Sequence, residues 1–301
     1  MHGSNVKGMM TEAHYDHSSK ELVIHSPSKD AIKFWIGGAA KTSNMTIVWA
    51  QLYIRQQCHG VHAIVVPLRD QDTHKVLPGI TIGDCGPKFG LNGVDNGFIE
   101  FNRFRVPVGN LLNRVSGIDE KGEFFSKASS EGKRFGTTLA ALSEGRLFMC
   151  CHSSTSALCA LAIAIRYTFV RKQFTNGKGQ KENYLFEYPL THRRMIPLLA
   201  QETVLMCVTM STFHTAENNE GKSKLSPDDP LLQEIHAISS VLKAKTTWAA
   251  TEVIRECRQM MGGHGYSAFS KMAALYSNND VNNTWEGENH VLLQQTTKYV
   301  L

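Results

Sequence analysis

The sequence predicts an α+β fold in which an antiparallel β half precedes a bundle of long helices. Up to about residue 114, β-branched and aromatic runs alternate with sequences typical of turns. From about residue 135 onward, apolar residues recur at helical spacing over stretches longer than the mean globular helix. The chain has 301 residues, which is enough for two domains that each bury a core.

Four short runs rich in Val, Ile, Phe, Tyr and Trp define the β half. Glycine, proline and asparagine separate them, as in Pro78-Gly79, and these residues favour turns. We expect strands at residues 21–25, 46–54, 61–66 and 98–101.

The helical half is predicted from three long apolar patterns and one short one. The expected helices cover residues 140–170, 190–213, 232–261 and 289–300, with a polar connection at residues 217–229. Gly262-Gly263 is expected to end the third helix, because glycine is common directly after a helix. The predicted organisation is a β domain at residues 1–115, a polar surface linker at 116–136 and a helical domain at 137–301.

Composition argues against several classes of function. The net charge is +5 and the basic residues are scattered, so no nucleic-acid partner is expected. Seven cysteines without a CxxC pair favour neither a disulfide framework nor a zinc site, and we predict no metal site. Ser154, Thr155, Gln201 and Glu202 interrupt the longest apolar stretches, so we expect no membrane insertion. The chain also lacks a P-loop, a GxGxxG after a strand and a GxSxG elbow.

Two glycine-containing loops are candidate ligand contacts. Residues 35–44 place small residues beside hydroxyl and amide groups, which lets backbone N–H groups approach a planar ring or a phosphate. An ordinary hairpin connection is the alternative for this loop. Residues 261–266 put three glycines around a histidine at a helix terminus, where the backbone can lie against a cofactor. A simple helix stop is the alternative there.

A third loop carries the candidate catalytic carboxylate. It reads Thr284-Trp285-Glu286-Gly287-Glu288 and directly precedes the last predicted helix. An acidic residue in this position usually caps the helix, which suits Glu288. Glu286, followed by glycine, is better placed to project into a pocket and act as a general base.

A series of short motifs runs in order along essentially the whole chain. They are His2-Gly3-Ser4-Asn5, Tyr15-Asp16, His25-Ser26-Pro27, Lys41-Thr42, Pro78-Gly79, Asp95-Asn96-Gly97, Arg105-Val106-Pro107, Leu111-Leu112-Asn113-Arg114, Glu256-Cys257-Arg258, Gly262-Gly263-His264-Gly265-Tyr266 and Glu286-Gly287-Glu288-Asn289. In order and spacing they resemble the motifs of the acyl-CoA oxidases. The residues within the motifs are most similar to those of the peroxisomal pristanoyl-type members and the acyl-CoA oxidase-like proteins.

The resemblance implies a fold and a reaction. The fold is that of the acyl-CoA dehydrogenases and oxidases, an antiparallel β-barrel middle domain followed by an α-helical bundle. The implied enzyme is a peroxisomal homodimer that binds FAD, oxidises fatty acyl-CoA to trans-2-enoyl-CoA and reduces O₂ to hydrogen peroxide.

The resemblance also implies roles for individual residues. Glu286 matches the catalytic base, and Gly287 matches the residue beside the thioester. The residues implied in cofactor binding are Trp35, Ile36 and Gly37 on the flavin ring, Arg171 and Phe174 at the FAD of the neighbouring subunit, and Gly262 and Gly263 near the FAD.

Departures from the family pattern leave alternatives open. Full-length relatives begin with a helical domain and continue through another to a peroxisomal address, so we expect this chain to be a fragment or short isoform. One alternative is an acyl-CoA dehydrogenase with a protein electron acceptor, although Glu288 stands where the dehydrogenases usually have threonine. The other alternative is a catalytically inactive chain that binds acyl-CoA or a partner.

Overall fold

The computed structural model describes residues 3–175, 177–220 and 230–301, without the side chains of residues 137–143, 219–220 and 232. His2 of the first motif, and residues 221–229 of the predicted polar connection, lie outside this part. The chain forms two compact units. One comprises Met1–Lys88 and Asn92–Thr138, and the other comprises Phe89–Leu91 and Leu139–Leu301.

In the described part of the chain, ten strands belong to the first unit. They are β1 Glu12–Asp16, β2 Glu21–His25, β3 Lys33–Gly37, β4 Met45–Ile54, β5 Gln57–Pro67, β6 Ile80–Asp84, β7 Asn96–Phe101, β8 Phe104–Pro107, β9 Ser116–Ile118 and β10 Phe124–Ser126. A five-stranded sheet has the order β5-β4-β1-β2-β8, a three-stranded sheet has the order β3-β7-β6, and β9 and β10 form a hairpin. Among the described pairings, β1 with β4 is parallel and the others are antiparallel.

The two larger sheets of this unit share one apolar core. Side chains alternate between the two faces of a strand, so buried residues recur at every second position. In β4, the alternate residues Val48, Ala50, Leu52 and Ile54 are all buried in this core. Phe101 of β7, from the other sheet, is fully buried in the same cluster.

Among residues 3–175, 177–220 and 230–301, six α-helices follow the strands. They are α1 Glu131–Val170, α2 Pro189–Glu220, α3 Pro230–Met260, α4 Gly262–Tyr266, α5 Met272–Asp280 and α6 Asn289–Val300. Small side chains line the core of the helical unit, where one buried cluster contains Ala157, Ala160 and Ala164 of α1 with Ala250 and Cys257 of α3. Small residues at such positions allow helices to approach closely.

The α+β prediction is confirmed, with differences in detail. The predicted linker at residues 116–136 contains β9, β10 and the first turn of α1, so it is not an irregular connection. Gly262-Gly263 follows the end of α3, as predicted, but the two glycines open α4 instead of forming a loop. The division into domains at residues 1–115 and 137–301 stays a prediction.

The expectation about the apolar stretches was wrong in one respect. Glu144–Val170 and Pro189–Asn218 are each long and apolar enough to cross a membrane by length and composition. Neutral residues such as Ser154 and Thr155 hardly lower the mean hydropathy of so long a helix. Core helices of water-soluble proteins meet the same criterion, so the absence of membrane insertion stays a prediction.

Candidate active site

The Glu286 loop precedes α6 and has an unusual backbone. Glu286 has φ 55° and Gly287 has φ 107°, so two consecutive residues lie at positive φ. For a residue with a Cβ, the left-handed region costs roughly 1–2 kcal/mol. A Cβ added at Gly287 would also lie 2.6 Å from Cδ2 of Leu292. The surrounding structure therefore holds this loop in a conformation that it would not adopt alone.

Two buried cations hold consecutive carbonyl groups of the loop. Nε of Arg146, on α1, donates to the carbonyl oxygen of Glu286 at 3.1 Å. Nζ of Lys243, on α3, donates to the carbonyl oxygen of Gly287 at 2.7 Å and to Oδ1 of Asn289 at 2.9 Å. Burial lowers the pKa of Arg146, and it lowers the pKa of Lys243 to about 8. The Glu286 carboxylate opposes this effect at both cations, because an opposite charge favours the charged form.

The carboxyl group of Glu286 lies over Gly145 of α1, where the absence of a side chain leaves room for it. A Cβ added at Gly145 would lie 3.0 Å from Oε2 of Glu286 and 3.3 Å from its Cδ. Glu286 itself is half-buried. The other carboxylate of the loop caps α6, as predicted, because Oε2 of Glu288 accepts from the N–H of Val291 at 3.2 Å.

The loop that contains Trp35 and Gly37 lies in the first unit. Trp35 has φ 65° and 55% of its surface is exposed, so a large apolar ring stands in solvent on a strained backbone. Gly37 is exposed, and a Cβ added there would meet no heavy atom within 4 Å. Ile36 differs, because its side chain packs against the core of the β unit. Ile36 is therefore only partly accessible to a ligand.

Two side chains from elsewhere in the sequence fix this loop. The guanidinium group of Arg69 is buried and donates to three carbonyl oxygens, those of Ser43, Ala39 and Ala40, at 2.7–2.9 Å. Oδ2 of Asp95 accepts from the N–H groups of Lys41 and Thr42 at 2.9 and 3.0 Å. The loop is therefore rigid before any ligand binds.

Arg171 and Phe174 lie in the segment that follows α1. Phe174 has φ 61° and 71% of its surface is exposed, and Arg171 is exposed as well. Nη2 of Arg171 donates to Oε1 of Gln173 at 3.2 Å. Two backbone hydrogen bonds with Asn183 hold the segment in a turn. The N–H of Gln173 donates to the carbonyl oxygen of Asn183 at 3.0 Å, and the N–H of Asn183 donates to the carbonyl oxygen of Phe174 at 2.9 Å.

Gly262 and Gly263 lie at the same end of the helical unit as Arg171. Both glycines are exposed, and an added Cβ at either would meet no heavy atom within 4 Å. The hydroxyl group of Tyr167, near the end of α1, lies 2.9 Å from Nδ1 of His264 on α4. Gly145, under the Glu286 carboxyl group, precedes Tyr167 by about 22 residues of helix, or roughly 33 Å. The structure therefore does not bring Glu286 together with Arg171 or the two glycines.

A family model for "Acyl-CoA oxidase, C-alpha1 domain" matches residues 139–301. The chain belongs to the acyl-CoA oxidase family. The human peroxisomal acyl-coenzyme A oxidase 3 is 39% identical over 306 residues, covering 100% of this chain and 43% of the human protein. The peroxisomal acyl-coenzyme A oxidase 3 of Arabidopsis thaliana is 40% identical over 297 residues, covering 99% of this chain and 43% of the plant protein.

Solved structures of acyl-CoA oxidases have the same fold. Acyl-CoA oxidase-2 of Caenorhabditis elegans, bound with FAD, ascaroside-CoA and ATP, matches with a TM-score of 0.92 and 32% identity, over 99% of this chain and 44% of that one. Acyl-CoA oxidase-1 of the same organism, complexed with FAD and ATP, matches with a TM-score of 0.91 and 35% identity, over 99% and 43%. The chain thus spans less than half the length of these relatives.

Sequence reasoning about this family member missed the residues that support the site. Gly145, Arg146 and Lys243 were not singled out, nor was Arg69. One signal was present for Lys243, because residues 243, 247, 250, 254 and 257 of α3 follow a core spacing and all are buried. A charged residue in such a position is costly and indicates a specific partner.

Metal chemistry finds no support in the described part of the chain. No group of three or more His, Cys, Asp or Glu side chains is placed there to hold an ion.

Proposed function

We propose that this chain carries the catalytic base and flavin-binding surfaces of a peroxisomal acyl-CoA oxidase. The proposed reaction is the FAD-dependent oxidation of fatty acyl-CoA to trans-2-enoyl-CoA, with O₂ reduced to hydrogen peroxide. The main support is the Glu286 loop, in which buried cations fix a strained backbone and a glycine of α1 leaves room for the carboxyl group. The family membership and the peroxisomal names of the relatives agree with this assignment.

Glu286 would act as the base. Its carboxylate takes the α-proton of the acyl thioester, so the α-carbon–hydrogen bond breaks and the proton ends on a carboxyl oxygen. Bound FAD supplies the two-electron acceptor for the hydride that leaves the β-carbon. In the described part of the chain, the backbone N–H of Glu286 donates to no other group. It is therefore available to the thioester oxygen, where it would stabilise the negative charge that develops.

The described surfaces fit a flavin cofactor. Trp35 offers an exposed ring, and Gly37, Gly262 and Gly263 leave open space that a Cβ would fill. We propose these residues, the backbone of Ile36, Phe174 and Arg171 as FAD contacts.

Arg171 is proposed to serve the FAD of a second subunit. Its guanidinium group is exposed and positively charged, which suits a pyrophosphate. Arg171 also lies along α1 far from the Glu286 of its own chain, as the separation of roughly 33 Å between Gly145 and Tyr167 indicates. A homodimer in which each chain contributes to the other's cofactor site would account for this separation.

The substitution Glu286→Gln tests the assignment of the base. It removes the proton acceptor with little change in shape, so peroxide release from a fatty acyl-CoA should fall about 10²- to 10⁴-fold in the FAD-loaded protein. Glu288→Gln is the matched control, because it makes the same change in a carboxylate that caps α6. Peroxide release at the wild-type rate from Glu286→Gln would show that the assignment is wrong. Acyl-CoA oxidation without peroxide would favour the dehydrogenase alternative.

A further inference from the structure

We propose that Lys243 is a positioning residue that fixes the backbone of the Glu286 loop and thereby directs the Glu286 carboxylate. The inference rests on the proposed function, since it assigns a role toward the proposed base. Lys243 has no exposed surface, and the structure places no part of it at a substrate. Its effect would therefore pass through the loop.

The contacts of Lys243 join three elements. Its ammonium group, on α3, donates to the carbonyl oxygen of Gly287 in the loop and to Oδ1 of Asn289 at the first turn of α6. Asn289 is itself buried, and its Nδ2 donates to Oγ1 of Thr247 at 2.9 Å, one turn further along α3. The carboxyl end of the loop is thus bound to α3.

Lys243 and Arg146 together fix the backbone on the carboxyl side of Glu286. Arg146 holds the carbonyl group of the peptide between Glu286 and Gly287, and Lys243 holds that of the next peptide. These two peptide planes flank Gly287 and restrict its backbone at φ 107°, and the first of them also directly follows Glu286, whose φ of 55° is unfavourable. Without one of these contacts, the strained residue would be free to return to an ordinary conformation.

The energetics argue that Lys243 is not kept for stability. A buried ammonium group is expensive to desolvate, and burial lowers its pKa to about 8. Its hydrogen-bond partners are a carbonyl and an amide, and both nearby carboxylates, Glu286 and Glu288, act on it through space. An apolar side chain of similar volume often gives equal or higher stability at such a site.

The substitution Lys243→Met tests the proposal, because it keeps an unbranched side chain, one atom shorter than that of lysine, and removes the donors. In the FAD-loaded protein we expect kcat for peroxide release to fall about 10- to 100-fold with little change in KM, since a displaced base affects the chemical step. Hydrogen–deuterium exchange of a peptide covering residues 284–290 should become faster, with or without FAD. Lys243→Arg, which restores a cation, should recover part of the loss in kcat.

Lys33→Met is the matched control for the exchange measurement. Lys33 is also buried with a pKa lowered to about 8, but its Nζ donates to the carbonyl oxygen of Trp49 in the β unit. Its removal should leave the exchange of residues 284–290 unchanged. If Lys243→Met does not fold, Lys243→Gln replaces it, because its uncharged and shorter amide would not reach the carbonyl oxygen of Gly287.

The outcomes separate this proposal from the proposed function. Wild-type kcat and wild-type exchange in a folded Lys243→Met or Lys243→Gln would overturn the role of Lys243, even if Glu286→Gln is inactive. Full activity of Glu286→Gln would overturn the proposed base. Faster exchange in the Lys243 variants would then still show that Lys243 fixes the loop, but its role in positioning a base would be lost.

Discussion

Gly145→Ala should make the protein more stable and less active. Gly145 lies in the interior of α1, where glycine costs about 1 kcal/mol relative to alanine. The added Cβ would lie 3.0 Å from Oε2 of Glu286, so the carboxyl group would have to move by a few tenths of an ångström. A carboxyl group at the end of a flexible side chain moves at little cost. Most of the gain in helix stability should therefore survive, as a rise of about 2–4 °C in the melting temperature.

The activity of Gly145→Ala should change in the opposite direction. A misplacement of about 1 Å can cost roughly 10²-fold in rate, so a shift of a few tenths of an ångström should lower kcat roughly threefold to tenfold. Thermal unfolding followed by circular dichroism, together with peroxide release from a fatty acyl-CoA, measures both quantities on one preparation.

A second glycine of α1 supplies the control. A Cβ added at Gly136 would meet no heavy atom within 4 Å. Gly136→Ala should therefore raise the melting temperature and leave kcat unchanged. If Gly145→Ala raised the melting temperature at an unchanged kcat, the observed position of the Glu286 carboxyl group would not be the one used in the reaction. A fall in stability would show that the carboxyl group cannot yield.

Two further predictions concern pH and cofactor binding. Burial raises the pKa of Glu202 on α2 to about 7 and outweighs the opposing effect of Ser154 and Gln201. The wild type therefore has its full stability below pH 4.5, where Glu202 is protonated, and loses stability as the pH rises to about 7. Glu202→Gln should be more stable than the wild type by roughly 2–3 kcal/mol at pH 8 and equally stable at pH 4.5. Urea unfolding at the two pH values measures this difference. Gly263→Ala should keep the melting temperature of the apo protein, because the added Cβ meets no atom, but should weaken FAD binding about tenfold in a fluorescence titration. Equal FAD affinity would remove Gly263 from the proposed contacts.

Local signals explain which elements could be predicted from the sequence. The bounds of β2 match because it is a short apolar run with β-branched residues that ends before the turn residues Ser26-Pro27-Ser28. Helix α6 begins after Glu288 because that residue caps it. The short strands β1, β3 and β8 were missed, since pairing with strands remote in sequence helps to stabilise them. The short strand β6 was missed as well, although it pairs with the next strand, β7. For the parallel β1–β4 pair, the intervening chain supplies the crossover that such a pair needs.

The residues of the candidate site also differ in whether local sequence signals could predict them. Glu286 could be proposed as a base from its own motif, because of the residue type and its neighbours, and that role stays a prediction. Gly145, Arg146 and Lys243 could not, because their relation to Glu286 exists only once α1 and α3 have packed. The residue pattern of α1 or α3 alone does not predict which loop packs against that helix.

The alanine-rich cluster between α1 and α3 sets more than the stability of the helical unit. The same two helices carry Arg146 and Lys243, so the side chains of Ala157 and Ala250 act as the spacers that determine how far apart the two anchors of the loop lie. A methyl group added at such a spacer would change the geometry of the Glu286 loop several helical turns away. We therefore expect a change of volume at Ala157 or Ala250 to alter the Glu286 loop from a distance.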